Sequence, residues 1–139
     1  MIVAVDSSVL IASLIGKDPS HETSVNLLEN YKPFVHRHAL VETFSTITGG
    51  KLGFRMSAEQ ATLLINESIL PWVQTVDLDD VELIGAMSSC QSRGVRGGAI
   101  YDFLHLCAAK KKGAKRFYTK DVNDFKSIHR AGDPEIHHP

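Results

Sequence analysis

Short runs of β-branched and aromatic residues alternate along this chain with longer segments of helical periodicity. The strand candidates are residues 2–5, 33–36, 72–76 and 116–119, and residues 135–137 form either a final edge strand or a loose tail. An alternation of this kind is typical of parallel strands joined by crossover helices. We therefore predict an α/β fold in which a central, mostly parallel sheet is flanked by helices on both faces.

Capping and terminating residues mark the helices between these strands. Capping boxes at Ser57 with Gln60 and at Asp79 with Glu82 begin two of them, and Asp18 followed by Pro19 begins another. The predicted helices cover residues 8–14, about 19–31, 39–48, 57–69, 79–94, 99–112 and 122–128.

Length and composition limit the class of protein. A chain of 139 residues without repeats or linkers builds one core, so we expect a single domain over residues 1–139. Its 15 lysines and arginines balance 16 acids, which excludes a strong overall positive field. No segment approaches the length of a membrane span, and two cysteines without metal-site spacing are expected to be reduced. These features predict a cytoplasmic protein with no membrane association.

Acidic residues lie where the predicted elements meet. Asp6 follows the first strand, Asp121 follows the strand near residue 118, and Glu42 and Asp102 lie in the opening turns of helices. Because ligands collect beyond the carboxyl ends of parallel strands, all of these side chains can face one pocket.

These acids have both a structural and a functional interpretation. Acids favour helix N-termini because of the helix dipole, and this alone explains Glu42 as well as a functional role does. Asp6 and Asp102, however, interrupt apolar sequence, where a carboxylate is costly without a partner. Like charges about 5 Å apart repel by roughly 3 kcal/mol at an effective dielectric near 20. Oxygen ligands that require a counterion indicate Mg²⁺ or Mn²⁺.

Blocks of sequence around these acids resemble a known family. The blocks are VDSSVLIA, HALVETFSTI, GAIYDFLHLCAA and FYTKDVNDF, in this order within residues 2–125. Each block is a weak motif alone, but the ordered set is similar to the PIN-domain nucleases, and among them to the VapC-type toxins of toxin-antitoxin pairs. The resemblance implies a PIN-like α/β fold and hydrolysis of RNA phosphodiester bonds with Mg²⁺ or Mn²⁺ as cofactor.

The resemblance also assigns roles to residues of this chain. The catalytic and metal-binding quartet falls on Asp6, Glu42, Asp102 and Asp121. Asp124 is an alternative or additional ligand, although the Thr119-x-Asp121 spacing is the better match. A homodimer and an antitoxin partner similar to VapB are further implications.

Two hydroxyl residues are implied as helpers of the acids. The resemblance suggests that Ser7 and Thr119 donate hydrogen bonds that orient the metal ligands. Each also has a simpler interpretation, since Ser7 can cap a helix and Thr119 favours a strand end.

An RNA substrate requires cations near the acids. Arg93 and Arg96, in the glycine-containing loop before Asp102, are our preferred phosphate contacts, with Lys51 and Arg55 as further candidates. The alternative is that these are solvated surface residues.

Other functions remain open at this point. His36, His38 and His105, with Glu42 and Asp102, form an alternative site for zinc or iron in a transition-metal hydrolase. A third possibility is a PIN fold that only binds a partner and has lost catalysis. Nucleotide-cofactor binding is disfavoured because no glycine-rich phosphate motif follows the first strand.

Overall fold

The computed structural model describes residues 1–139. Its strands are β1 (Val3–Val5), β2 (Phe34–His36), β3 (Gln74–Val76), β4 (Arg116–Tyr118) and β5 (Glu135–His137). Its α-helices are α1 (Ser7–Leu14), α2 (His21–Tyr31), α3 (His38–Gly49), α4 (Ala58–Leu64), α5 (Asp80–Arg93), α6 (Ala99–Lys111) and α7 (Val122–Ile128). None of the helices combines the length and apolar character needed to cross a membrane.

All strands pair in parallel, in the order β3-β2-β1-β4-β5. The pairing of β4 with β5 shows that residues 135–137 form an edge strand. From β1 the chain first extends the sheet toward β2 and β3, and then crosses to the other side of β1 to form β4 and β5. The boundary between β1 and β4 is therefore the topological switch point, where open parallel sheets place their ligand sites.

Helices cover both faces of the sheet, as predicted. Successive strand residues point to opposite faces, so that Ala4 lies in one core and Val5 in the other. The first core contains residues of α5, α6 and α7, including Phe103 and Phe125. The second contains residues of α1, α2 and α3, including Leu10. The result is a three-layer sandwich whose helix N-termini gather near the strand ends.

Two observed helix ends differ from the predicted ones by more than one residue. Helix α2 begins at His21 rather than at Pro19, because the Asp18 carboxylate accepts hydrogen bonds from the Ser20 amide and the Lys120 ammonium. The helix that follows Ser57 is α-helical only to Leu64. A π-helical turn over residues 65–69 and a 3-10 turn over residues 70–72 follow, and they delay the start of β3 to Gln74.

Candidate active site

Asp6 lies at the centre of the site, between β1 and α1. It is the N-cap of α1, and its Oδ1 accepts hydrogen bonds from the Ser8 amide at 3.0 Å and from the Ser8 hydroxyl at 2.5 Å. The Thr119 hydroxyl donates to its Oδ2 at 2.7 Å. The residue is only 4% exposed, and burial raises its pKa although these hydrogen bonds oppose the effect. Both carboxylate oxygens are thus held in place by α1 and by the end of β4.

Hydrogen bonds from the loop after β4 join this network. The Lys120 amide donates to the Ser8 hydroxyl at 2.8 Å, and the Asp121 amide donates to the Thr119 hydroxyl at 3.0 Å. The loop that carries Asp121 is therefore fastened to the residues that fix Asp6.

Ser8, not Ser7, makes the predicted hydroxyl contact with an acid. An N-cap side chain accepts hydrogen bonds from the second or third residue of its helix, and Ser8 is the second residue of α1. Ser7 instead lines a shallow cavity together with His38 and Glu42. The assignment of this role to Ser7 is corrected accordingly.

Asp102 is a second acid of the site whose pKa is raised. It lies half-buried in the first turn of α6, and its pKa is raised from 3.8 to about 6. Burial is the largest cause, and the negative charges of Asp6, Asp121 and Asp124 add to it, whereas His105 acts in the opposite direction. The carboxylates from β1, α6 and the loop after β4 therefore lie within electrostatic range of one another.

No lysine or arginine neutralises this group. None of the ion pairs in the structure includes Asp6, Asp102, Asp121 or Asp124. Lys120 lies beside Asp121 in the chain, but its ammonium binds Asp18 at 2.5 Å. Asp121 and Asp124 are exposed and line a shallow cavity at the end of β4. The site carries negative charge that its own residues leave uncompensated.

Glu42 occupies a different environment on α3. Its Oε1 lies 2.5 Å from Nε2 of His105, which is 2% exposed. Burial acts to raise the pKa of Glu42, but the hydrogen bond with His105 and the neighbouring His38 and His36 outweigh it, so that the pKa is lowered. Glu42 is thus held by a histidine, unlike the aspartates.

The four acids do not form a closed metal cage. No three histidine, cysteine, aspartate or glutamate side chains are arranged to hold one ion. Mg²⁺, however, commonly binds through one or two carboxylates and completes its shell with water and substrate phosphates. Oxygen donors without a cationic partner, two of them with a raised pKa, fit Mg²⁺ or Mn²⁺ bound in this open manner.

The zinc or iron site considered as an alternative is also not assembled. Nε2 of His105 is engaged by Glu42, and Nδ1 of both His36 and His105 is buried without a hydrogen-bond partner. Burial is the largest cause that lowers the pKa of His36, to about 4. These rings contact each other edge to face, with 5.4 Å between their centroids, rather than directing nitrogen atoms at a common ion.

Of the predicted phosphate contacts, Arg93 is contradicted by the structure. Its guanidinium binds the Asp133 carboxylate and the Ile128 carbonyl, and lies 4.9 Å from the centre of the Phe103 ring. Arg93 therefore fastens the C-terminal segment to α5. Arg96, Lys51 and Arg55 are exposed and form no ion pair.

Sequence reasoning missed the roles of Ser8 and Asp133 and the pairing of His105 with Glu42. The Asp6-x-Ser8 spacing is an N-capping pattern and was sufficient to indicate Ser8. The pairing of Glu42 with His105, 63 residues apart, has no local signal.

The protein is therefore a three-layer α/β protein with a parallel sheet. At the switch point of the sheet it carries carboxylates that no lysine or arginine neutralises. The family model described as PIN domain matches residues 3–131, and the chain belongs to the PIN domain family. A search of curated proteins finds no match.

Several solved structures are similar in fold over the whole chain. The crystal structure of VapBC2 from Rickettsia felis, bound to a promoter DNA fragment, matches with a TM-score of 0.70 and 15% identity, covering 100% of this chain and 99% of that chain. Mycobacterium tuberculosis VapC20, described as a sarcin-ricin loop cleaving toxin, matches with a TM-score of 0.70 and 17% identity over 95% of this chain and 99% of that chain. FitAcB from Neisseria gonorrhoeae matches with a TM-score of 0.67 and 15% identity over 99% of this chain and 98% of that chain.

Proposed function

We propose that this PIN-domain protein is an Mg²⁺- or Mn²⁺-dependent endoribonuclease that acts as the toxin of a toxin-antitoxin pair. The observation that carries the proposal is the carboxyl group of Asp102, whose pKa of about 6 reflects burial beside Asp6, Asp121 and Asp124 with no neutralising lysine or arginine. Membership of the PIN domain family and the fold shared with VapC20 support the same conclusion.

The aspartates would hold the metal, each with a different task. Asp6 is fixed by its hydrogen bonds to Ser8 and Thr119, so that it provides an immobile carboxylate. Asp102 places a half-buried carboxylate opposite it, and the exposed Asp121 and Asp124 are accessible to solvent and substrate. A bound divalent ion lowers the pKa of water and neutralises charge on a phosphodiester. None of these residues needs to act as a nucleophile.

Glu42 is proposed as the fourth acid of the site, oriented by His105. Its lowered pKa keeps it ionised at neutral pH, whereas Asp102 reaches half-ionisation near pH 6. Arg96, Lys51 and Arg55 remain proposed phosphate contacts, because they are exposed and free of ion pairs.

The proposed partners are a VapB-like antitoxin and a second copy of the chain. Similar folds occur in VapBC and FitAB complexes, which supports an antitoxin partner. An uncompensated group of carboxylates is also suited to accept a basic side chain from an inhibitor.

The test is cleavage of single-stranded RNA by tag-free protein with millimolar Mg²⁺ or Mn²⁺, and with EDTA. We expect cleavage by the wild type and by Asp80→Asn, which alters an exposed acid on α5 that is not among the main charges acting on the pKa of Asp6, Glu42 or Asp102. We expect no cleavage by Asp6→Asn or Asp102→Asn. Equal cleavage by all variants would reveal a contaminating nuclease, and absence of cleavage by the wild type would favour a PIN fold that only binds.

A further inference from the structure

A pair of stacked rings lies between the two helices that carry Glu42 and Asp102. The rings of His38 and Tyr101 are nearly parallel, with an interplanar angle of 17° and 5.5 Å between centroids. Tyr101 directly precedes Asp102 on α6, and His38 lies one turn before Glu42 on α3. The pair therefore borders both acids.

The Tyr101 ring is exposed although it is stacked. Tyr101 is 52% exposed, and its hydroxyl makes no hydrogen bond within the chain. Of the aromatic pairs in the structure, this is the only near-parallel one. The exposed Trp72 has no ring partner. Burial in a core therefore does not explain the placement of Tyr101.

The stack is supported from behind by further rings. His38 lies 6.3 Å from His36, and His36 lies 5.4 Å from the buried His105, measured between ring centroids. His38 thus lies between the Tyr101 ring and the rings of His36 and His105 in a continuous series of ring contacts. An exposed ring held in this way is preorganised to bind a flat ligand.

We infer that Tyr101, backed by His38, stacks on the base of an unpaired nucleotide next to the phosphate that is cleaved. The inference rests on the proposed function and assigns Tyr101 as a residue that positions the substrate beside the acids. Proteins recognise such RNA by stacking splayed bases on aromatic rings, which contributes about 1–3 kcal/mol per base. A base inside a duplex is already stacked on its neighbours and is not accessible to Tyr101.

The test combines ring variants with abasic RNA. The substrate is a single-stranded oligonucleotide whose cleavage position has been mapped, together with versions that lack one base on either side of that position. Tyr101→Leu should raise KM about tenfold for the intact substrate, the equivalent of about 1.4 kcal/mol, and change kcat less than about twofold. Tyr101→Phe should recover most of the lost affinity, and Trp72→Leu serves as the control for loss of an exposed ring elsewhere.

For the substrate that lacks the stacked base, wild type and Tyr101→Leu should have the same KM. If Tyr101→Leu raises KM on every abasic substrate as well, the inference is overturned and Tyr101 has a structural role. Equal KM values for all variants on intact RNA would also overturn the inference. If the wild type does not cleave RNA, the proposed function fails. The stacking inference is then still tested by the affinity of intact and abasic oligonucleotides for wild type and Tyr101→Leu, measured by fluorescence anisotropy.

Discussion

Nε2 of His105 lies 2.5 Å from Oε1 of Glu42, and this contact joins the two helices that flank the acidic site. His105 is almost fully buried, and it also partly opposes the rise that burial causes in the pKa of Asp6 and of Asp102. A single imidazole thus influences acids on three different elements. It does so from a position where water does not screen it.

The first prediction concerns this contact. His105→Leu should raise the pKa of Glu42, because the hydrogen bond that lowers it is lost while the burial that raises it remains. His105→Gln retains a donor near the position of Nε2 and should restore part of the shift. NMR titration of the Glu42 carboxyl carbon measures both variants. An unchanged pKa in His105→Leu would show that the contact does not govern Glu42.

Asp102→Asn should stabilise the metal-free protein at neutral pH. The folded-state pKa of Asp102 is raised from 3.8 to about 6, so the folded state binds this proton more tightly than the unfolded chain does. Ionisation therefore opposes folding, by an amount that is absent below about pH 4 and complete above about pH 6. We expect Asp102→Asn to raise the free energy of unfolding by about 1 kcal/mol at pH 7, after allowance for solvent screening, and to leave it unchanged near pH 4.

Urea denaturation of both proteins across this pH range, in EDTA, measures the difference. A loss of stability in Asp102→Asn at pH 7 would identify Asp102 as a structural residue instead.

Millimolar Mg²⁺ or Mn²⁺ should raise the melting temperature of the wild type. The ion binds the folded carboxylates and not the unfolded chain, and at ten times its Kd it contributes about 1.4 kcal/mol to the free energy of unfolding. The melting temperature of Asp102→Asn should not rise with the metal ion, whereas that of Asp80→Asn should rise as in the wild type. The comparison is made at constant ionic strength with NaCl. No shift in the wild type would argue against a metal site in the free protein.

Removal of the Thr119 hydroxyl should lower the stability of the folded protein. Thr119 is fully buried, and its hydroxyl donates to Asp6 and accepts from the Asp121 amide. Thr119→Val keeps the shape but leaves a buried carboxylate oxygen and an amide without partners, which should cost about 2 kcal/mol. Thr119→Ser keeps the hydroxyl and should therefore lose less stability than Thr119→Val. Equal stability of both variants in thermal unfolding would contradict this role.

Substitutions at Arg93 and Arg96 should have different effects, the first on stability and the second on RNA binding. Arg93→Met should lower the free energy of unfolding by about 1–2 kcal/mol, because it leaves the buried Asp133 carboxylate with fewer donors. Arg96→Met should leave stability unchanged and weaken RNA binding, with a smaller salt dependence of the affinity. Denaturation and RNA titration at two salt concentrations test both variants. The reverse pattern would restore Arg93 as a phosphate contact.

The order of the elements, and the positions of Asp6, Asp102 and Asp121 at element ends, were predictable because they depend on local patterns. Strand periodicity, capping boxes and the position of acids at element ends are all encoded within a few residues. The parallel sheet then brings these ends together. Resemblance to the PIN domain, now confirmed by the family match, pointed to the same residues.

Pairings across the chain were not predictable in the same way. Arg93 and Asp133 are 40 residues apart, and nothing near Arg93 indicates that its charge is already used. The contact between Glu42 on α3 and His105 on α6 likewise joins residues that are 63 positions apart. Such contacts depend on tertiary packing, which local sequence does not reveal.

The sheet order has a consequence for the time at which the site comes into existence. Asp6 is near the start of the chain, whereas its partner Thr119 is 113 residues further on. During synthesis, the first half of the sheet can form from β1, β2 and β3 while the opposite side of β1 is still empty. A nascent chain in this state holds Asp6 and Ser8, but lacks Thr119 and the loop that carries Asp121. If the protein cleaves RNA as proposed, its active site is incomplete until Thr119 and Asp121 have been synthesised.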